Sequence, residues 1–464
     1  MTQRQLVVFT LFLGTLGGPA SGQTSSQRRG ATPPSVPASG KPVQEWRTLL
    51  IIKPVTRLRV EGLPKVDATM PPDSVEAVTW LFRDFMPGHI RRISNGRLSW
   101  KADVVVSPYP LEKVRGAVDG AYWPWAGDIQ NDYDRFVPVG KYDNVFVFWL
   151  GTDLETHQGV RTIFGLSVGP LSGHPWAGHT AIHYTGADHW RSGEKGAEIF
   201  VHEWLHQLEA FYDKLGVKLP KGGLHGAIPY GYTHERRAVT GSWEEKFLNG
   251  TIEEPDGTLV GLGEKAWSLG TIREAAAVHT PEWLTPARMQ TSLLSDGSFE
   301  DSTGPEVTGW AVRSVQGRAS AASIDPGTAR SGRAAVKLRT DPAGGRDAVC
   351  LQRDQAVKPH TRYVLAGWVK IHDVVNTEQK GGTAGGLLTI DDAYETSDPF
   401  LGTHDWSYRS VVFDSGERTS VKVGCRLGHI GTTGRGTAWF DDLVLIELGP
   451  SKPGAAVPSS SAGR

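Results

Sequence analysis

Apolar positions along the first 290 residues change their spacing several times, and each change marks an element. Thr48-Leu49-Leu50-Ile51-Ile52 is an apolar run without polar interruption, as in a strand covered on both faces. Over 74–85, Val75, Val78, Leu81, Phe82 and Phe85 recur every three or four residues, which predicts a helix capped by Asp73 or Ser74 and stopped at Pro87-Gly88. Runs rich in β-branched and aromatic residues at 102–106 and 145–150 predict two more buried strands. The stretch 165–184 is rich in Gly and His and ends in Thr180-Ala181-Ile182-His183-Tyr184, read as an edge strand. A long helix is expected over 195–215, with Gly216 where a left-handed cap belongs. Shorter helical pieces at 242–248 and 272–278 follow, and Pro281 and Pro286 close the region. From 293 to 448 the spacing falls to two, in short runs such as Ala335-Val336-Lys337-Leu338 separated by Gly, Asp and Thr turns, the mark of a β-sandwich.

The chain has 464 residues, too many for one ordinary core, and the change of pattern places two folded domains at 45–290 and 291–449. Residues 1–22, with Arg4, an apolar stretch from Leu6 to Leu16 and Ala20-Ser21-Gly22, read as an export signal. Residues 23–44 and 450–464 have the Ser, Pro, Gly and Ala content of a disordered linker and tail. The expected location is therefore secreted, extracellular or periplasmic, with no transmembrane segment after signal removal. A formal net charge of -1 excludes nucleic acid as an expected partner, and a monomer is expected. The only cysteines, Cys350 and Cys425, fall in the second domain and form either a disulfide or two buried thiols.

The chemistry concentrates on the long helix. Residues four apart on a helix lie one above the other, so His202 and His206 aim two imidazoles at one point, the ligand pair of a Zn2+ ion. Glu203 stands beside them, where a carboxylate can take a proton from water that the metal activates. Val201-His202-Glu203-Trp204-Leu205-His206-Gln207-Leu208-Glu209 resembles the active-site helix of zincin metallopeptidases, over a region of about 46–285. That resemblance implies an α+β zincin-like catalytic domain with a mixed sheet, an edge strand lining the cleft, zinc on the two histidines and Glu203 as general base. The metzincin extension needs Gly at 209 and His at 212, but this chain has Glu209 and Tyr212.

Spacing makes His225, nineteen residues after His206 in a Gly-rich loop, the expected third ligand, as in gluzincins. Glu209 and Asp213 are alternative ligands or carboxylates that orient an imidazole. His234, Glu235, Glu244 and Glu245 are weaker ligand candidates. Tyr230 and Tyr232 are candidates for stabilising an oxyanion, against ordinary packing. His179 and His183 are read as core or substrate-side histidines.

In the second domain, Ser295-Asp296-Gly297-Ser298-Phe299-Glu300 with Gly309-Trp310, and Gly436-Thr437-Ala438-Trp439-Phe440-Asp441-Asp442, resemble the opening and closing strands of cenC-type carbohydrate-binding modules. The resemblance implies an all-β jelly-roll sandwich domain, with Glu300, Asp441 and Asp442 as candidates for a structural Ca2+. Trp310, Trp368, Trp406, Tyr408 and Trp439 are its candidate sugar-stacking or core aromatics.

The expected function is a secreted zinc-dependent hydrolase, a metallopeptidase acting on a peptide or glycoprotein, with a module that binds polysaccharide or cell-wall glycan. The alternatives are a non-catalytic secreted carbohydrate-binding or adhesion protein, or a hydrolase of glycosyl bonds.

Overall fold

The computed structural model describes residues 43–116, 120–162, 164–170, 176–232, 241–302, 307–315, 321–340, 348–376, 385–390, 395–428 and 434–451. The expected export signal, nearly all of the linker and tail, and His234 and Glu235 lie outside them. The chain divides into two compact units, Met1–Glu274 and Ala275–Arg464.

In the first unit the apolar run begins at Gln44 and becomes β1 (Gln44–Lys53), an interior strand of a five-stranded sheet with β2 (Leu98–Val106), β3 (Asn144–Trp149), β4 (Gly165–Val168) and β5 (Gly178–His183). The order is β2-β1-β3-β5-β4. The first four of these pair in parallel, and β4 runs antiparallel along the edge. Parallel strands are covered on both faces, which is why β3 is buried at every position. The expected edge strand is thus an interior strand, and the edge is Gly165–Val168 instead. That segment is too short and too glycine-rich to announce a strand by its pattern.

Two helices, α1 (Pro72–Trp80) and α2 (Met86–Ile93), are joined by one π-helical turn, Leu81–Phe85. The helix expected to stop at Pro87 therefore continues. The wider turn shifts the hydrogen-bond register, and Pro87 falls in the first turn of α2, where its missing N–H costs nothing. Phe82 meets Trp100, Phe146 and Phe200 edge-on with centroids 5.3–5.5 Å apart, and Trp100 meets Trp204 at 5.0 Å. These rings fill the space between one sheet face and the long helix α3 (Glu194–Lys214), which ends at Gly216 with φ 77° as its pattern required.

The second unit is a β-sandwich of two five-stranded antiparallel sheets. One contains β6 (Ala311–Val315), β9 (Ala348–Ala356), β14 (Ser420–Leu427), β11 (Gly386–Ile390) and β12 (Glu395–Thr396) in that spatial order. The other contains β7 (Ala321–Asp325), β8 (Ala335–Thr340), β15 (Gly434–Pro450), β10 (Thr361–Asn376) and β13 (Gly402–Asp414). Between them lie Phe299, Leu338, Leu351, Tyr363, Leu365, Val423, Cys425 and Phe440. The unit starts before the expected boundary at 290. Val278 and Leu284 pack on Val364, Ala366, Tyr408, Val444 and Ile446, and Tyr408 donates to the Val278 carbonyl at 2.8 Å. Residues 277–290 thus cover an otherwise exposed apolar sheet face.

Candidate metal centre

Helix α3 is buried on almost every side, including His202 and Glu203. Its imidazoles at 202 and 206 stand 4.8 Å apart, centroid to centroid. His225 joins them, 5.2 Å from the first ring and 4.8 Å from the second, with its Nε2 only 2.9 Å from that of His206. Among the described residues, one group of three or more His, Cys, Asp or Glu side chains is placed to hold a metal ion. It is His202, His206 and His225, whose ligand atoms all lie within 4.8 Å of one another. A tetrahedral zinc with nitrogens at about 2.0–2.1 Å sets its ligand atoms roughly 3.3 Å apart; the His206 and His225 nitrogens, 2.9 Å apart, lie near that spacing, and three imidazoles are a donor set of the chemistry zinc takes.

The loop carrying His225 is built to hold it there. Gly222 and Gly223 have φ of 83° and 61°, conformations that side chains resist, and a Cβ at Gly223 would collide with the Glu209 carboxylate. Glu209 accepts from Leu224 N at 2.9 Å with one oxygen and lies 3.0 Å from His206 Nδ1 with the other. One carboxylate therefore fixes an imidazole and the loop bearing the next imidazole. It turns Nε2 of His206 towards the cluster, the orienting role rather than the ligand role. From the far side, Trp243 Nε1 on α4 (Trp243–Asn249) donates to the Leu224 carbonyl at 2.5 Å. The next residue, Glu244, is buried with an oxygen 3.7 Å from His202 Nδ1, behind that imidazole rather than in the ligand set.

Glu203 lies against the edge strand. Ser167 Oγ is 2.7 Å from its Oε2, and a Cβ at Gly165 would come within 2.7–2.8 Å of its side chain. Only glycine at 165 leaves room for the carboxylate.

Several expected residues lie elsewhere. Asp213 is exposed, about two turns beyond His206 and outside the cluster. Tyr230 accepts from Lys221 N at 2.9 Å and donates to Glu254 at 2.7 Å, so its hydroxyl is committed to the loop rather than to an oxyanion. The Tyr232 ring packs on Trp243 with centroids 5.5 Å apart. Glu245 accepts from Gly241 N. His179 is a core histidine. It is fully buried between the Tyr133 hydroxyl, 2.5 Å from Nδ1, and the Pro124 carbonyl, 3.0 Å from Nε2, and burial lowers its pKa to about 4. Burial lowers that of His183 to about 4 as well.

In the sandwich, Glu300 accepts from the backbone of Arg333 and Ala334, Asp441 from that of Arg330 and Ser331, and Asp442 from the Ser331 hydroxyl. Among the described residues these calcium candidates form no group of three ligand atoms, and each carboxylate accepts from a neighbouring turn. Cys350 and Cys425 are buried as thiols, not as a disulfide. On the paired strands β9 and β14, Cys350 is opposite Arg426 and Cys425 opposite Leu351, so a one-residue offset turns the two sulfurs to opposite faces. Trp406 is half-buried, and the other four aromatics are engaged. Trp310 is buried against Phe299, Arg330 lies 4.3 Å over Trp368, Tyr408 is buried, and Trp439 donates to Asp325 at 2.8 Å.

No helix among the described residues is long and apolar enough to cross a membrane. No protein-family model matches the chain, and no curated protein matches it. Solved structures give partial likenesses. A Stig cyclase from Fischerella sp. TAU is 16% identical over 35% of this chain and 98% of its own, with a TM-score of 0.27. The carbohydrate-binding module TmCBM61, solved with β-1,4-galactotriose, is 16% identical over 34% and 98%, at 0.23. A xylan-binding CBM22 domain from Paenibacillus barcinonensis is 13% identical over 33% and 92%, at 0.22. Two of these three are carbohydrate-binding modules and none is a peptidase. Each spans about a third of the chain.

Proposed function

We propose that the chain is an exported zinc-dependent hydrolase of the metallopeptidase class, with its reaction centre on α3. The observation that carries the reading is the convergence of His202, His206 and His225 within 4.8 Å, with Glu203 one residue from the first of them. The mixed sheet and its antiparallel edge strand beside Glu203 support the resemblance of this unit to zincins. His202, His206 and His225 would hold the metal. Zinc bound there would supply a Lewis acid that polarises a carbonyl and acidifies water.

The protein's own groups account for the remaining steps. Glu209 keeps the His206 proton on Nδ1 and the His225 loop in place. Glu203, held at Oε2 by Ser167, takes a proton from the attacking water at Oε1 as a bond forms from the water oxygen to the carbonyl carbon. It then gives that proton to the leaving amine as the C–N bond breaks. The β-sandwich supports a glycan-binding module as the second part of the proposal, and binding to glycan without catalysis is the alternative for the whole chain.

Dye-labelled casein distinguishes the two. Zinc-loaded protein should hydrolyse it, and Glu203→Gln should lower the rate by ~10²–10⁴-fold while keeping its zinc, since only the proton acceptor is lost. His202→Ala or His206→Ala should lose the zinc as well. A Glu203→Gln variant as active as the parent removes the peptidase reading. Glycan binding by a chain that never hydrolyses would favour the alternative.

A further inference from the structure

Behind Glu203 runs a line of side-chain hydrogen bonds that joins four elements, α3, β3, β5 and β4. Trp204 Nε1 donates to Asn144 Oδ1 at 3.1 Å, Asn144 Nδ2 donates to Gln207 Oε1, and Gln207 Nε2 donates to Thr180 Oγ1 at 2.5 Å. The hydroxyls of Thr180 and Ser167 are 2.5 Å apart, and Ser167 Oγ lies 2.7 Å from Glu203 Oε2 and 2.8 Å from the Glu203 carbonyl.

The direction of this line is determined at both ends. An indole N–H can only donate and a carboxylate can only accept. Turning over the amide of Asn144 or Gln207 would set donor against donor. Thr180, which receives a proton from Gln207, therefore gives its own to Ser167, and Ser167 gives its proton to Glu203. Trp204, Asn144, Gln207 and Thr180 are fully buried, so water does not compete for the links among these four, and bonds pointing one way polarise one another. The sequence geometry agrees. Residues 165 and 167 share a face of β4, so the strand offers Glu203 an empty site at Gly165 and a donor at Ser167.

We propose that Ser167, backed by Thr180, Gln207 and Asn144, is the positioning group for Glu203, holding Oε2 so that the carboxylate keeps one rotamer and Oε1 carries the proton. Its effect on rate rests on the hydrolase reading above, whereas the existence of the chain does not. A misplacement of about 1 Å in such a group can cost ~10²-fold in rate.

The test uses the full chain in two forms. In zinc-free protein, the side-chain amide resonances of Gln207 and Asn144 in ¹H–¹⁵N spectra should both move in Ser167→Ala and in Glu203→Ala, and stay in place in Glu245→Ala. In zinc-loaded protein, Ser167→Ala should lower kcat on labelled casein by ~10–100-fold with KM within about twofold and zinc content unchanged. Ser167→Thr, which keeps the hydroxyl, should restore most of the rate. Amide resonances unmoved by Ser167→Ala would overturn the proposal, and so would an unchanged kcat in an active enzyme. If the resonances respond as expected but the parent protein hydrolyses nothing, the hydrolase reading falls and the positioning of Glu203 stands.

Discussion

Glu209 links the parts of the centre more than any other single residue. One oxygen sits on His206 Nδ1 and the other accepts from the backbone beside His225, so its charge sets an imidazole tautomer and anchors a loop together. Removing such an orienting carboxylate commonly costs 10–100-fold in metal affinity. Glu209→Gln should therefore weaken zinc binding by about that factor in a chelator competition assay, with the fold retained. An affinity equal to that of the parent would show that the contact does not orient the ligand. The spacing of His202, Glu203, His206 and His225 was legible in the sequence because it depends on helix periodicity and a short glycine loop. The role of Ser167 was not, because it depends on which strand lies against α3, and nothing local to Gly165–Val168 says so.

At the scale of elements, β5 carries a buried titratable group outside the cluster of His202, His206 and His225. His179 is held neutral between Tyr133 and Pro124, with its pKa lowered by burial from 6.5 to about 4. The unfolded chain takes up a proton at this residue below pH ~6.5 and the folded chain does not until about pH 4. Stability from this group is thus full above pH ~6.5 and is lost as the pH falls towards 4, by up to about 1.4 kcal/mol per pH unit. Urea unfolding of the parent between pH 7.5 and 5 should show a slope of at least that size, and His179→Gln should reduce it by about this one group's share, leaving that of His183, whose pKa burial lowers to about 4 as well. Equal slopes in both would place the dependence elsewhere. The elements themselves divide by how far their determinants reach. The run at 48–52 and the cap at Gly216 were readable locally, whereas continuation of the first helix past Pro87 required a π-turn that no spacing announces. The cysteine pair failed as a disulfide through a register offset of a single residue.

For the whole molecule, the position of the boundary has a consequence for folding. Residues 277–290 bring Val278 and Leu284 onto the sheet face formed by Val364, Ala366, Tyr408, Val444 and Ile446. Each buried aliphatic side chain contributes about 1.5–3 kcal/mol. A fragment of residues 275–451 should therefore melt roughly 10 °C above one of residues 291–451 in calorimetry. Equal melting temperatures would mean that the segment adds no stability and that the boundary expected from sequence is adequate. The period-two pattern made the sandwich legible, but the segment covering its outer face reads as loop and short helix, and only packing assigns it.

Zinc K-edge X-ray absorption on the loaded full-length chain would count the imidazoles on the metal, two from α3 and one from the glycine loop. About one zinc per chain is expected, with three histidine nitrogens at about 2.0 Å and the multiple-scattering pattern of imidazole rings. In His225→Ala that histidine count should fall to two. A spectrum with fewer than three histidines in the parent, or one left unchanged by His225→Ala, would contradict this three-histidine site.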